Sequence, residues 1–235
     1  MSIDQFIAHL REIETGANVA NPYNCFEQDV DATAAGFCQR SHQLSAYLRH
    51  RQQTAQVILV AEAPGYQGAR FSGIAMTSER MLSGQYDFVT EQDVLGQFGL
   101  FRRTSANAAC RNDQERRRGF AEPTATVVWR ELMAANRASN VVLWNTFPFH
   151  PHRAAEPLSN RRPTQEEVDV NAGVLTELRG LFDPNCQIVA VGNVARDHLL
   201  EMGVDADHVR HPANGGVAEF RQQLQILWNL AEAPN

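Results

Sequence analysis

The strongest constraint on the fold is a set of short apolar runs that show no alternation of polar and apolar residues. Three runs and a weaker fourth stand out: Val57–Ala63, Asn140–Phe147, Cys186–Gly192 and His208–Pro212. The first three are rich in β-branched residues, which is typical of parallel strands covered by helices on both faces. The runs therefore predict a central, mostly parallel sheet of four strands.

Helical patterns lie before, between and after these runs. They are Met1–Glu14, Pro123–Arg137, Thr164–Phe182, Val194–Met202 and Val217–Ala231. The second begins with a proline, and the third begins with Thr-Gln-Glu-Glu, which resembles a capping box. Strands that alternate with helices favour an α/β fold, here a three-layer α/β/α sandwich. The length suits one domain that spans residues 1–235.

Composition excludes several kinds of site. All 21 basic residues are arginine, so the chain has no lysine for a Schiff base, a P-loop or a general base. The net charge of −6 argues against a basic field over the whole protein, so any nucleic-acid binding needs a local arginine patch. No apolar run reaches the roughly 18 residues of a transmembrane helix, and we expect no membrane partner.

One arginine-rich segment, Arg102–Gly119, has no apolar period. It holds six arginines against two acidic residues, and we expect an exposed loop or insertion. Two interpretations remain open at this point: a solvated run of charges, or an arm that contacts phosphates.

Polar residues follow the predicted strands where each strand ends. Glu62 lies near the end of the first run, Asn145 near the end of the second, and His211 near the end of the fourth. Ligands of open parallel sheets bind beyond the carboxyl ends of the strands. We therefore expect a carboxylate, an amide and an imidazole to meet at one edge of the sheet.

These residues stand in motifs that resemble those of the uracil-DNA glycosylase superfamily. Its G-E-A-P-G type of turn reads Ala61-Glu62-Ala63-Pro64-Gly65 here, and its second-strand motif reads Leu143-Trp144-Asn145. The stretch Asn160-Arg161-Arg162-Pro163-Thr164 matches N-R-x-P-T, and His211-Pro212-Ala213 matches the start of His-Pro-Ser. The resemblance runs from about Val57 to Gly216 and is nearest the branch with the G-E-A-P-G turn.

The resemblance implies a DNA glycosylase that holds a flipped-out base in a pocket. His211 would donate a hydrogen bond to the charge that develops on the base, and Glu62 would orient or deprotonate the attacking water. Asn145 would pair with the N3 and C4 edge of a pyrimidine. An enzyme without lysine lacks the usual amine nucleophile, so the expected product is an intact abasic strand.

The expected base pocket departs from the strictest uracil enzymes. Gly65 stands where an aromatic side chain usually blocks the 5-methyl group of thymine, and Tyr66 follows one residue later. Met76 takes the place of a stacking phenylalanine, and methionine is the more adaptable side chain. These differences suggest a roomy pocket that accepts uracil or 5-modified pyrimidines. The alternative is that Phe71 supplies the stacking ring and the pocket is ordinary.

The iron–sulfur branch of the superfamily uses four cysteines, two of them close together. Here Cys25 and Cys38 are 13 positions apart, while Cys110 and Cys186 are far from both. We expect no cofactor and no metal, and reduced thiols in a cytoplasmic protein.

DNA, double- or single-stranded, is the expected partner of a monomer. The candidate contacts are Arg116, Arg117, Arg118, Arg161, Arg162 and Asn214. The biological setting stays open between base-excision repair and defence against modified phage DNA. Two other functions are considered: a non-catalytic module that binds nucleic acid or a modified base, and a small-molecule hydrolase. The hydrolase lacks support because the chain has no G-x-S-x-G motif.

Overall fold

The structure, a computed structural model, describes residues 1–232 and the side chains of residues 1–229. Its strands are β1 Val19–Ala20, β2 Val57–Ala61, β3 Val141–Asn145, β4 His150–Pro151, β5 Gln187–Val191 and β6 Asp207–Val209. Its helices are α1 Ile3–Glu12, α2 Gly36–Arg51, α3 Ala69–Ser72, α4 Glu79–Leu82, α5 Glu91–Leu95, α6 Asp113–Arg118, α7 Pro123–Ala134, α8 Gln165–Val170, α9 Ala172–Arg179, α10 Asn193–Glu201 and α11 Val217–Glu232. Among these residues, no helix combines the length and apolar character needed to cross a membrane.

The four predicted strands form one parallel sheet in the order β3-β2-β5-β6. Every residue of β2 and β3 is buried, as the lack of alternation in their sequences predicts. Helices flank the sheet in three α/β/α layers, with α2 packed on β3, α10 on β5 and β2, and α11 on β6. The α/β sandwich expected from the sequence is confirmed. Strands β1 and β4 form a separate antiparallel pair.

The register of the sheet fixes where the site lies. Ala61 of β2 pairs with Asn145 of β3, so the two strands end side by side. The ladder continues past them, because Thr146 N donates to Ala61 O at 2.8 Å and Phe147 N donates to Glu62 O at 3.0 Å. Glu62 and Asn145 therefore lie on neighbouring strands at one edge of the sheet.

The prediction of a single helix over Thr164–Phe182 is wrong in one respect, because the structure has two helices there. Thr164 caps α8 through the predicted capping box with Glu167, but the helix breaks at Asn171, whose φ and ψ are −103° and 5°. The Asn171 amide donates to the carbonyl oxygen of Glu167 at 2.8 Å. An asparagine side chain that bonds nearby backbone in this way weakens the helix.

The Arg102–Gly119 segment is not the unpacked loop that its composition suggests. Its second half forms α6, which is capped by Asn112, and its first half binds the buried carboxylate of Glu79. That carboxylate accepts hydrogen bonds from Thr104 N at 2.8 Å, from Ser105 N at 3.0 Å and from Ser105 Oγ at 2.5 Å. Glu79 lies on α4, outside the segment. A count of charges within Arg102–Gly119 therefore could not predict this packing.

Candidate active site

A cavity of about 390 Å³ opens at the carboxyl edge of the sheet. This volume lies in the range of small-molecule sites. The cavity is lined by Ala61, Glu62, Ala63, Pro64, Gly65, Met76, Glu122, Thr124, Asn145, Asn160, Arg161, Arg162 and His211. The three residues that the sequence placed beyond the strand ends, Glu62, Asn145 and His211, therefore share one cavity.

Glu62 follows β2 directly, and its backbone is fixed by the loop after β3. Its carbonyl oxygen accepts from Phe147 N and from Thr146 Oγ1, at 3.0 and 2.9 Å. Its side-chain Oε1 is buried without a hydrogen-bond partner among the described residues, and Arg162 Nε lies 3.8 Å away. Burial raises the pKa of the Glu62 carboxyl, and the positive charge of Arg162 offsets part of that rise. The Glu62 carboxyl thus lines the cavity with its Oε1 unpaired among the described residues.

Asn145 is the last residue of β3 and is only 3% exposed. Its side-chain amide forms no hydrogen bond with any described residue, although the backbone on both sides is held by the sheet. A nearly buried amide without partners is costly unless a ligand or water satisfies it. The amide is therefore free to offer a donor and an acceptor to a bound molecule.

His211 follows β6 and its ring orientation is set by the next turn. Ala213 N donates to His211 Nδ1 at 3.1 Å. The neutral imidazole then carries its proton on Nε2. Burial, with a smaller effect of Arg210, lowers the pKa of His211, which favours this neutral form.

Gly192, at the end of β5, makes room for His211. Its φ is +90°, and a Cβ there would lie 2.8 Å from His211 Cβ. A larger residue at this position would be strained and would push the imidazole away.

The turn at Pro64 and Gly65 forms another wall of the cavity. His150 Nδ1 donates to Pro64 O at 2.9 Å, His150 Nε2 lies 3.3 Å from Pro157 O, and burial lowers the pKa of His150 to about 4. Asn160 Oδ1 accepts from Tyr66 N at 3.0 Å. A Cβ at Gly65 would meet nothing nearer than Asn160 Nδ2, at 3.5 Å. The turn is thus held from two sides, and a Cβ at Gly65 would make ordinary van der Waals contact with Asn160.

Met76 lines the cavity from the loop after α3. It is 3% exposed and has a φ of +46°, which is rare for a residue with a side chain. The following residue, Thr77, accepts a hydrogen bond from Trp129 Nε1 at 3.0 Å. The neighbouring contacts hold the methionine backbone in an uncommon conformation, as is typical of functional sites.

Glu122 also lines the cavity, and sequence reasoning missed it. It precedes α7 rather than a strand, so the rule that located the other residues did not apply. Its carboxyl makes no hydrogen bond to a described residue, and its Oε2 is buried. Burial raises the pKa of this carboxyl to about 7. The only sequence signal was an acidic residue before Pro123, the first residue of a predicted helix.

The two predicted aromatic residues of the base pocket lie elsewhere. Phe71 is fully buried and stacks on Phe120 at 5.0 Å between ring centroids, in a small cluster behind the cavity wall. Tyr66 is 8% exposed and packs edge-on against Phe120. The suggestion that Phe71 stacks on the base is therefore wrong, because no face of its ring is free.

The candidate DNA contacts differ in their surroundings. Arg161 forms a two-pronged ion pair with Glu167, at 2.7 and 2.6 Å, and its Nε donates to His152 O. Arg162 is 78% exposed at the mouth of the cavity. The side chain of Arg162 is thus free to reach a ligand, whereas that of Arg161 is fixed within the loop.

The other candidate contacts lie outside the cavity lining. Asn214 is exposed on the loop after His211, with a φ of +54°. Arg116, Arg117 and Arg118 are exposed on α6, and the first two form ion pairs with Asp113 at 2.5 and 3.9 Å.

Comparisons with known proteins support the fold. No protein-family model and no curated protein sequence matches the chain. Among solved structures, the chain is similar to the crystal structure of wild-type SMUG2 from Pedobacter heparinus. The two are 11% identical with a TM-score of 0.55, and the match covers 97% of this chain and 98% of that one. This likeness shows that the two proteins share a fold over nearly their whole lengths.

Proposed function

We propose that this protein is a monofunctional DNA glycosylase that hydrolyses the N-glycosidic bond of a flipped-out pyrimidine. The observation that carries the proposal is the meeting of Glu62, Asn145 and His211 in one cavity, each with a polar side-chain atom that makes no hydrogen bond to a described residue. The shared fold with SMUG2, a member of the uracil-DNA glycosylase superfamily, agrees with the motif resemblance.

His211 stabilises the departing base. Cleavage places negative charge on the base, and a neutral imidazole with its proton on Nε2 can donate a hydrogen bond to that charge. The bond from Ala213 N to Nδ1 and the lowered pKa of His211 both favour this form. The protein prepares the donor before the substrate arrives, so no proton has to move first.

Glu62 acts on the other product of cleavage. Its carboxylate accepts a hydrogen bond from the attacking water and lies near the positive charge that develops on the sugar. Arg162, 3.8 Å from Glu62, favours the ionised form that this role requires. The chain has no lysine, so water is the nucleophile and the product strand is abasic but not cut.

Asn145 holds the base through its amide, and the lack of a side chain at Gly65 determines which bases fit. Met76 packs on the face of the ring, where its flexible side chain adapts to different bases. The substrate range therefore includes uracil and 5-modified pyrimidines. Removal of such bases serves either base-excision repair or defence against modified phage DNA.

The test is release of free base from oligonucleotides that contain uracil, a thymine mismatch or 5-hydroxymethylcytosine. We expect release by the wild type and a loss of about 10²-fold or more for Glu62→Gln and for His211→Asn. Glu201→Gln and His42→Asn are matched controls, because both residues are exposed and lie outside the cavity. Normal turnover by both active-site variants would refute the site.

A second outcome of the same experiment identifies the alternative function. Binding of the modified oligonucleotides without release of any base would indicate a non-catalytic module that binds nucleic acid. Release of uracil alone would refute the wide pocket and leave an ordinary uracil-DNA glycosylase.

A further inference from the structure

The cavity contains a second carboxyl group for which the proposed mechanism has no use. Glu122 lines the cavity from the position immediately before α7. Its Oε2 is buried, and neither oxygen accepts a hydrogen bond or forms an ion pair within the described residues. The side chain does not cap the helix that follows it. The fold itself therefore gains no hydrogen bond from this carboxyl.

An unpartnered buried carboxyl is expensive for a protein. Burial of an acceptor without a hydrogen bond costs about 1–3 kcal/mol, and more for a charged group. Native proteins have few such groups, and those that remain often serve a ligand. A carboxyl that lines a binding cavity and contacts no protein donor thus indicates a donor on the bound molecule.

The position of Glu122 indicates which part of the base it contacts. The Glu122 carboxyl lies against Gly68, where a Cβ would come within 2.1 Å of Oε2. Gly68 belongs to the turn that carries Gly65, because Gly68 N donates to Gly65 O at 3.0 Å. In the proposed pose, Gly65 faces the 5-position of the pyrimidine. Glu122 is therefore on the side of the cavity that receives a 5-substituent.

We propose that Glu122 determines specificity by accepting a hydrogen bond from a hydroxyl or amine group on the 5-substituent of the base. The proposal rests on the proposed function and names the substrate class of the same site. A substituent such as hydroxymethyl satisfies the carboxyl, whereas an alkyl group of equal size leaves it buried without a partner. Sites built around such a bond discriminate strongly against analogues that lack the donor.

The ionisation of Glu122 gives the proposal a second, independent readout. Burial alone raises its pKa to about 7. The other charged or titratable groups that line the cavity are Glu62, Arg161, Arg162 and His211. A substituent that donates to Glu122 binds the ionised carboxylate better than the protonated acid. Preference for a donor-bearing base should therefore increase as the pH rises through about 7.

The test compares two bases of equal size in the same oligonucleotide, 5-hydroxymethyluracil and 5-ethyluracil, with uracil as the reference. The measured quantity is the ratio of kcat/KM for the hydroxymethyl base to kcat/KM for the ethyl base. For the wild type we expect a ratio of roughly 10 or more, which increases from about pH 6 to about pH 8. For Glu122→Ala we expect a ratio near one that does not depend on pH.

The conservative variant separates a specificity role from a structural one. Glu122→Gln keeps the size of the side chain and one acceptor oxygen, so its ratio should be intermediate and independent of pH. Glu201→Gln, on the exposed side of α10, should retain the wild-type ratio. Thermal unfolding of each variant checks the fold, and Glu122→Gln carries the test if Glu122→Ala does not fold.

The outcomes distinguish this inference from the proposed function. Release of uracil with a wild-type ratio near one, or with a ratio unchanged in Glu122→Ala, overturns the role of Glu122 alone. Failure of the wild type to release any base overturns the glycosylase proposal and this inference with it.

Discussion

At the scale of single residues, burial moves the titratable groups of the cavity toward their neutral forms. It raises the pKa of Glu62 and Glu122 and lowers the pKa of His211. The two carboxyls differ in their neighbours, because Arg162 lies near Glu62 while Glu122 has no described partner. Groups of the same type in one site can thus take different roles, since their surroundings separate their pKa values.

The first prediction concerns the dependence of base release on pH. A carboxyl whose pKa is raised in the folded protein takes up its proton at a higher pH than an ordinary glutamate. Base release should therefore fall as the pH decreases through the raised pKa of Glu62. Arg162→Gln removes the charge that lowers the Glu62 pKa, so the loss should begin at a higher pH.

Single-turnover release of uracil, measured against pH, checks this prediction. Arg179→Gln is the matched control, because Arg179 lines a different cavity, beside Cys186 and Ile58. An acid limb that stays in place in Arg162→Gln would contradict the assignment of that limb to Glu62.

At the scale of elements, the strands and the residues at their ends could be predicted from the sequence. Runs buried on both faces are apolar throughout, and parallel strands bring their carboxyl ends to one edge. Glu62, Asn145 and His211 meet for this reason.

Features that depend on contacts between distant segments could not be predicted in this way. The burial of Phe71 depends on Phe120, and the packing of Thr104 and Ser105 depends on Glu79. Each partner is far along the chain, so local patterns contain no signal of the pairing. Glu122 enters the cavity from the start of a helix, so a rule based on the ends of strands does not predict it.

The second prediction concerns the turn between β5 and α10. In Gly192→Ala, the added methyl group meets His211 Cβ, and the φ of +90° is unfavourable for alanine. We expect a loss of stability of about 1–3 kcal/mol together with a fall in base release. Gly203→Ala is the control, because its φ is +68° but a Cβ there meets nothing within 4 Å.

Two measurements separate strain from displacement of His211. Thermal unfolding should detect a loss in both glycine variants, and the release assay should detect a loss only in Gly192→Ala. Equal activity of the two variants would show that the position of His211 does not depend on Gly192.

At the scale of the whole molecule, the proposed function requires a chain of net charge −6 to bind DNA through a local patch. Arg116, Arg117 and Arg118 are exposed on α6, and exposed ion pairs such as those with Asp113 are weak enough to exchange for phosphate contacts. The third prediction is that binding weakens with salt. Replacement of the three arginines by glutamine should reduce the slope of log K against log salt concentration by up to about 3.

Fluorescence anisotropy with a labelled oligonucleotide at several salt concentrations gives this slope. The matched control replaces Arg49, Arg179 and Arg221, which lie on α2, α9 and α11. Both triple variants change the net charge equally, so an equal fall in slope would assign binding to total charge and not to α6.

The pairing of Ala61 with Asn145 has a consequence for how such a site can change. Neighbouring strands in a sheet lie about 4.8 Å apart, so the paired backbones fix the distance between the residues at their ends. The separation between the acid that follows β2 and the amide that ends β3 is therefore independent of the loops around them. Under the proposed function, substitutions at Gly65, Met76 or Glu122 would change the accepted base while this spacing stays the same.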